Sequence, residues 1–304
     1  MHMKKTFIIL CMAAALAISS GMAANAQETV AMPFSAIPVS ASYAAKAGIG
    51  FTENTLLTGK TLDVSAGYMS YSPSYNPSTF MNIDAEYCLN QKIAISLEGV
   101  YGMGKAYDLY NPSGLKSGTH KPSQMLISVG AGYRILDFLS ARVNLKYMTD
   151  KPAPEASYGA FGADIAVDGM FQITENGKAV AEFGVFSLCS KVTSASGVKF
   201  GIPSSVRLAG GYLHDFNEKN SISVLAQADY YLHKAFSAAV AAEAMFADIA
   251  SVRVGYNLGA KHVMPSFASV GAGVHFKGVK IDVAYLLGNS PIANTLAVSL
   301  GYCF

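Results

Sequence analysis

Ten carboxylates and five basic residues are spaced so that they can share one compartment. Asp63, Asp84, Glu86, Glu98, Asp164, Asp168, Glu182, Asp229, Glu243 and Asp282 each stand between two apolar or glycine neighbours, as do Arg134, Arg142, Lys146, Arg207 and Arg253. Inside a low-dielectric wall such a set has two uses. It lines a polar channel, or its opposite charges pair across a filled interior and brace it, because ionised groups away from water need partners. Covalent chemistry finds less support. A hydrolase needs Ser and His converging on a carboxylate, whereas the five histidines after residue 26 scatter: His120, His233 and His262 near the longer loops, His214 by a short turn, His275 among the charges. Cys88, Cys189 and Cys303 form no CxxC pair and no metal-ligand spacing, and their odd number argues against a disulfide framework. The expectation is a non-enzymatic protein with neither cofactor nor metal.

Alternation is what positions the charges. From Lys60 onward apolar residues recur at every second position, in stripes running Leu62 to Tyr68, Met81 to Leu89, Ile93 to Tyr101, Met125 to Tyr133, Ala141 to Tyr147, Phe161 to Phe171 and Ala179 to Val185. The same beat continues through Val206 to Tyr212, Ile222 to Tyr230, Ala238 to Phe246, Val252 to Tyr256, Ala268 to Phe276, Val279 to Tyr285 and Leu296 to Phe304. Successive side chains of a strand point to opposite faces, so each stripe predicts a strand with one greasy face and one small or polar face. Ala235 to Ser251 is rich in alanine, a helix former, yet its apolar residues keep period two against Glu243, which predicts a hairpin with Val252 to Tyr256. The total is fourteen strands.

The connections alternate too. Asn90 to Lys92, the Asn-Gly turn at Glu175 to Gly177, Asp215 to Asn220 and Lys277-Gly278 are short and follow even strands. Ser72 to Pro77, Gly102 to Pro122, Thr149 to Ala156 and Cys189 to Pro203 are longer and follow odd ones. Outer-membrane β-barrels place short turns in the periplasm and long loops outside. A charge facing lipid at the midplane costs about 2–4 kcal/mol for Arg or Lys, and all four arginines of the chain fall on the inward face.

Residues 1–26 join a basic start at Lys4-Lys5, an apolar run from Phe7 to Ile18 and the small residues Ala24-Asn25-Ala26, the pattern of a secretory signal. The remainder carries 20 basic and 20 acidic residues, a balance that gives nucleic acid no reason to bind. Half of the residues are apolar, but no later stretch offers the ~18 uninterrupted apolar residues of a spanning helix. Apolar at every second position, the chain fits a closed transmembrane antiparallel barrel at 60–304, in which closure satisfies the backbone. A soluble sandwich would show more Lys and Glu on its outer face. Residues 27–59 alternate poorly and hold Pro33, Pro38, Gly48 and Gly50, which predicts a periplasmic segment or a plug.

The stretches AAVAAEAMFADIASVRVGYNLG, SVGAGVHFKGVKIDVAYLLG and SPIANTLAVSLGYCF resemble the C-terminal half of the PorV/PorQ family of outer-membrane proteins, fourteen-stranded barrels similar to the fatty-acid transporter FadL. The N-terminus departs from the family, keeping only small residues around Ala47 to Gly50. The resemblance implies a non-enzymatic outer-membrane barrel acting in type IX protein secretion or surface attachment, with exported proteins as partners. Its alternative implication is passive passage of hydrophobic small molecules.

Partners common to both readings are outer-membrane lipid and the barrel assembly machinery. The closing strand's aromatics Tyr302 and Phe304 are the expected assembly signal, and the tyrosines that end most stripes form an interfacial girdle. Tyr101, Met103, Tyr107 and Tyr110 are the candidates for contact with a partner or solute in the loop after the third strand.

Overall fold

The computed structural model describes residues 30–71, 78–189, 191–193, 199–289 and 292–304. The expected leader at 1–26 lies outside the described residues, as does the loop at 72–77. The chain forms one closed antiparallel barrel of fourteen strands. They are β1 (Leu62–Tyr71), β2 (Ser78–Cys88), β3 (Ile93–Met103), β4 (Ser123–Leu136), β5 (Leu139–Ala153), β6 (Ala156–Thr174) and β7 (Gly177–Cys189). The other half comprises β8 (Ser205–Asn217), β9 (Asn220–Tyr231), β10 (Ala235–Phe246), β11 (Ala250–Leu258), β12 (Phe267–Phe276), β13 (Val279–Gly288) and β14 (Thr295–Cys303).

Each strand pairs with its neighbours in sequence, and β14 closes on β1 with Asp63 opposite Cys303 and Ser70 opposite Leu296. Phe304 and Leu62 exchange backbone hydrogen bonds of 3.0 Å in both directions. Closure leaves no strand edge, which lets such a wall stand in hydrocarbon. Outside, the apolar stripes form a continuous band in which Ile83, Leu145 and Phe161 are 50%, 61% and 71% exposed.

The alanine-rich piece is a hairpin, with Ala242 opposite Val254 and Glu243 opposite Arg253. Strands on both sides satisfy its backbone, so tertiary pairing overrides helix propensity. Elsewhere the strands outrun the stripes. Thr149 to Ala156 is not a loop: β5 and β6 stay paired up to Ala153 and Ala156, leaving a two-residue turn. The stretch Gly102 to Pro122 contains a second hairpin, Tyr107–Tyr110 against Lys116–His120.

Residues 30–59 run inside the barrel. Val30 bridges Gly201, in the connection after β7, and Leu56 packs beside Cys88 and Ala94, next to the β2–β3 turn. The segment therefore passes through the lumen from the loop end to the turn end before β1 begins. It carries two short α-helices, α1 (Ala41–Ala45) and α2 (Thr55–Thr58), besides two 3-10 turns at Pro33–Ala36 and Phe51–Glu53. Glycines in the wall admit α1, since a Cβ at Gly271 would sit 2.4 Å from the Cβ of Ala45. Ser269 on β12 donates to the Ala45 carbonyl at 2.9 Å, and Asn257 on β11 donates to the Ala47 carbonyl at 2.9 Å.

Candidate functional site

The charges gather into three groups on the inward face. On β5 to β9, Arg142 contacts Glu182 and lies 3.1 Å from Asp168, Arg207 lies 2.7 Å from Asp229, and Lys146 lies 2.7 Å from Asp164. The Phe186 ring sits beneath the Arg207 guanidinium at 4.3 Å, a cation–π contact. On β10 to β13, Arg253 contacts Asp282 and lies 3.3 Å from Glu243. The third group, on β1 to β3, is acidic: Asp84 faces Glu98 in register, and among the described residues neither pairs with a cation. Asp63 is held by Lys280, with Lys60 at 3.3 Å.

Each group also holds the lumen segment. Lys46, only 2% exposed, bonds Glu53 at 2.6 Å and lies 3.8 Å from Glu243. Glu53 belongs to the segment and not to the wall. Asn54 caps α2 by accepting from Leu56 N at 2.9 Å, while its amide donates to Asp168 at 3.1 Å. Thr55 donates from backbone and side chain to Glu86. Arg134 stands apart from the carboxylates and donates to the Leu56 carbonyl of α2. Beside the segment remains a cavity of about 350 Å³ lined by Tyr43, Asp84, Glu98, Arg142 and Asp229 among others.

His275 lies 3.7 Å from Asp282. Ser251 is nearby, since a Cβ on Gly273 would fall 2.6 Å from its hydroxyl and 2.3 Å from Asp282. This trio resembles a hydrolase set only in composition, because Ser251 is 1% exposed and Arg253 already occupies Asp282.

Sequence reading missed the other half of the lumen. Towards the loop end the inward stripe turns apolar on strand after strand: Met69 follows Asp63, Ser65 and Gly67; Phe80 precedes Asn82 and Asp84; Met148 follows Arg142 and Lys146; Leu286 follows Asp282. Leu126 and Phe267 complete the layer, and all six are buried together with Met32 and Phe34 of the lumen segment. The signal was present, because these residues share the parity of the charges, but period two gives the face and not the height.

Above the layer opens a second pocket of about 640 Å³, walled by Phe34, Ile37, Tyr71, Phe80, Val263 and Met264, with Lys261 and His262 also in its lining. The barrel is thus apolar inside at its loop end and ionic at its turn end. It folds like the toluene transporters. The P. putida toluene transporter TodX matches with a TM-score of 0.57, and the Ralstonia pickettii transporter TbuX with 0.54. The monoaromatic hydrocarbon channel CymD matches with 0.53. Each is 12% identical over 87% of this chain and 97–98% of its own length, so the likeness is one of fold. No protein-family model and no curated protein matches the sequence.

The loop candidates divide. Tyr101 and Met103 belong to β3, and Tyr101 lies on the outward wall in line with Ile95 and Leu97, so it is not a loop residue. Tyr107 and Tyr110 sit on the loop-end hairpin, where the Tyr107 hydroxyl donates to the Pro152 carbonyl at 2.9 Å and Tyr110 is 65% exposed. The four residues therefore form no single patch. Tyr302 and Phe304 lie at the turn end of the closing strand with ring centroids 6.0 Å apart. Cys88, Cys189 and Cys303 are free thiols, and β1 stands between the strands of Cys88 and Cys303.

Proposed function

We propose that this barrel lies in the outer membrane, loop end outward, and passes apolar small molecules inward. The observation that carries this reading is the inward apolar layer at the loop end, topped by a pocket of about 640 Å³. Pockets of ~300–1,000 Å³ with apolar walls and few polar groups suit small organic ligands. A barrel serving only as a brace has no reason to interrupt its ionic lining at one end and leave a greasy recess above it. The fold neighbours, toluene transporters and a monoaromatic hydrocarbon channel, support the same class of solute. They give no support to PorV/PorQ membership or to type IX secretion. Outer-membrane lipid covers the outward band, and the assembly machinery meets the closing strand with its Tyr302 and Phe304.

The test is solute entry into vesicles whose outer leaflet is lipopolysaccharide, a layer that apolar solutes cross slowly. Toluene should enter barrel-containing vesicles faster than barrel-free ones, with saturation. Equal entry, or capture of exported proteins by the barrel without solute entry, overturns the reading.

A further inference from the structure

The two chambers inside the barrel share a partition. The turn Pro33 to Pro38 gives residues to both sides: Pro33, Phe34 and Ile37 line the loop-end pocket, Ser35, Ala36 and Pro38 the lumen cavity. Met264 is the one described residue that lines both. It sits on the β11–β12 connection, which is folded back on itself. Val263 N and Met264 N both donate to the Ala260 carbonyl, at 3.1 and 3.0 Å, and Gly259 N donates to Ser266 Oγ at 3.0 Å. A side chain at Gly259 would strike the Met264 carbonyl, its Cβ 2.2 Å away, so the fold-back requires glycine there. The backbone on both sides of the partition is therefore held, on one side by these bonds and on the other by two prolines with fixed φ. What remains adjustable is the methionine side chain, unbranched, with three rotatable bonds and only 8% exposed.

We infer that Met264 sets the size of solute that passes from the loop-end pocket into the lumen. The inference rests on the transport reading and adds a selectivity to it. A small solute crosses when the thioether changes rotamer, whereas a larger one must push it away from every rotamer that packs. Trimming the side chain widens the threshold without touching the pocket's other walls.

The experiment compares entry of toluene and of the larger, rigid pyrene in lipopolysaccharide vesicles carrying wild type, Met264→Ala or Met264→Phe. Heat-modifiable mobility on gels establishes that each variant is folded. Met264→Ala should raise the ratio of pyrene to toluene entry about tenfold, the scale expected when a side chain need not leave its preferred rotamers. Met264→Phe should lower that ratio below wild type. An unchanged ratio in both folded variants, with the wild type active, overturns this inference and leaves the transport reading standing. A wild type that admits neither solute overturns both.

Discussion

The ammonium of Lys280 on β13 meets the carboxylate of Asp63 on β1, reaching across the intervening β14. Gly301 makes this possible, since its ideal Cβ would lie 3.1 Å from the Lys280 stem and 2.8 Å from the Val64 carbonyl. The contact spans the closing seam, where the chain's first and last strands join. Removing one partner of a mostly buried pair costs about 3–5 kcal/mol, less here because Lys60 remains near Asp63. Lys280→Met should therefore lower the urea midpoint of the folded barrel, and Gly301→Leu should lower it further by blocking the route. A midpoint unchanged in both variants would show that the seam does not depend on this contact.

A second expectation concerns Lys46 and Glu53. Lys46 is 2% exposed, bonds Glu53 at 2.6 Å and lies 3.8 Å from Glu243. Removing one partner of a buried pair costs about 3–5 kcal/mol. Protease cleavage within 41–53 should be slow in the wild type. Lys46→Met, which leaves Glu53 and Glu243 without that cation, should speed it. Equal cleavage of the two folded proteins would contradict the assignment.

Fourteen strands were legible because the wall obeys one rule, apolar outside at every second residue, from Leu62 to Phe304. The Ala235–Phe246 strand was readable despite its alanines because Glu243 kept the inward beat and meets Arg253 across the pair. The path of the lumen segment was not readable. Its contacts, such as Ala47 N to Ser269 Oγ at 3.2 Å, join residues over two hundred positions apart and leave no local period. The apolar layer lay between these extremes. Met69, Phe80, Met148 and Leu286 continue the charged stripes in phase, but their common height emerges only once the strands are registered.

The division of the loop candidates also yields an expectation. Tyr101 sits in the outward wall and Tyr110 on an exposed hairpin. Tyr101→Asp places a charge in the outward apolar band and should reduce the yield of heat-modifiable, membrane-inserted barrel. Tyr110→Asp should leave it at wild-type level. The reverse ordering would put Tyr101 outside the membrane.

The claim at the centre of this account is that the apolar layer at the loop end admits apolar solutes. Phe80, 2% exposed and lining the pocket, is the residue through which to test it. The most direct measurement is toluene entry into lipopolysaccharide vesicles carrying wild type or Phe80→Asp, each first shown to be folded and inserted. The account expects saturable entry through the wild type and entry at the barrel-free level through Phe80→Asp, because a charge in the recess repels an apolar solute. Equal entry through the two folded proteins would contradict it.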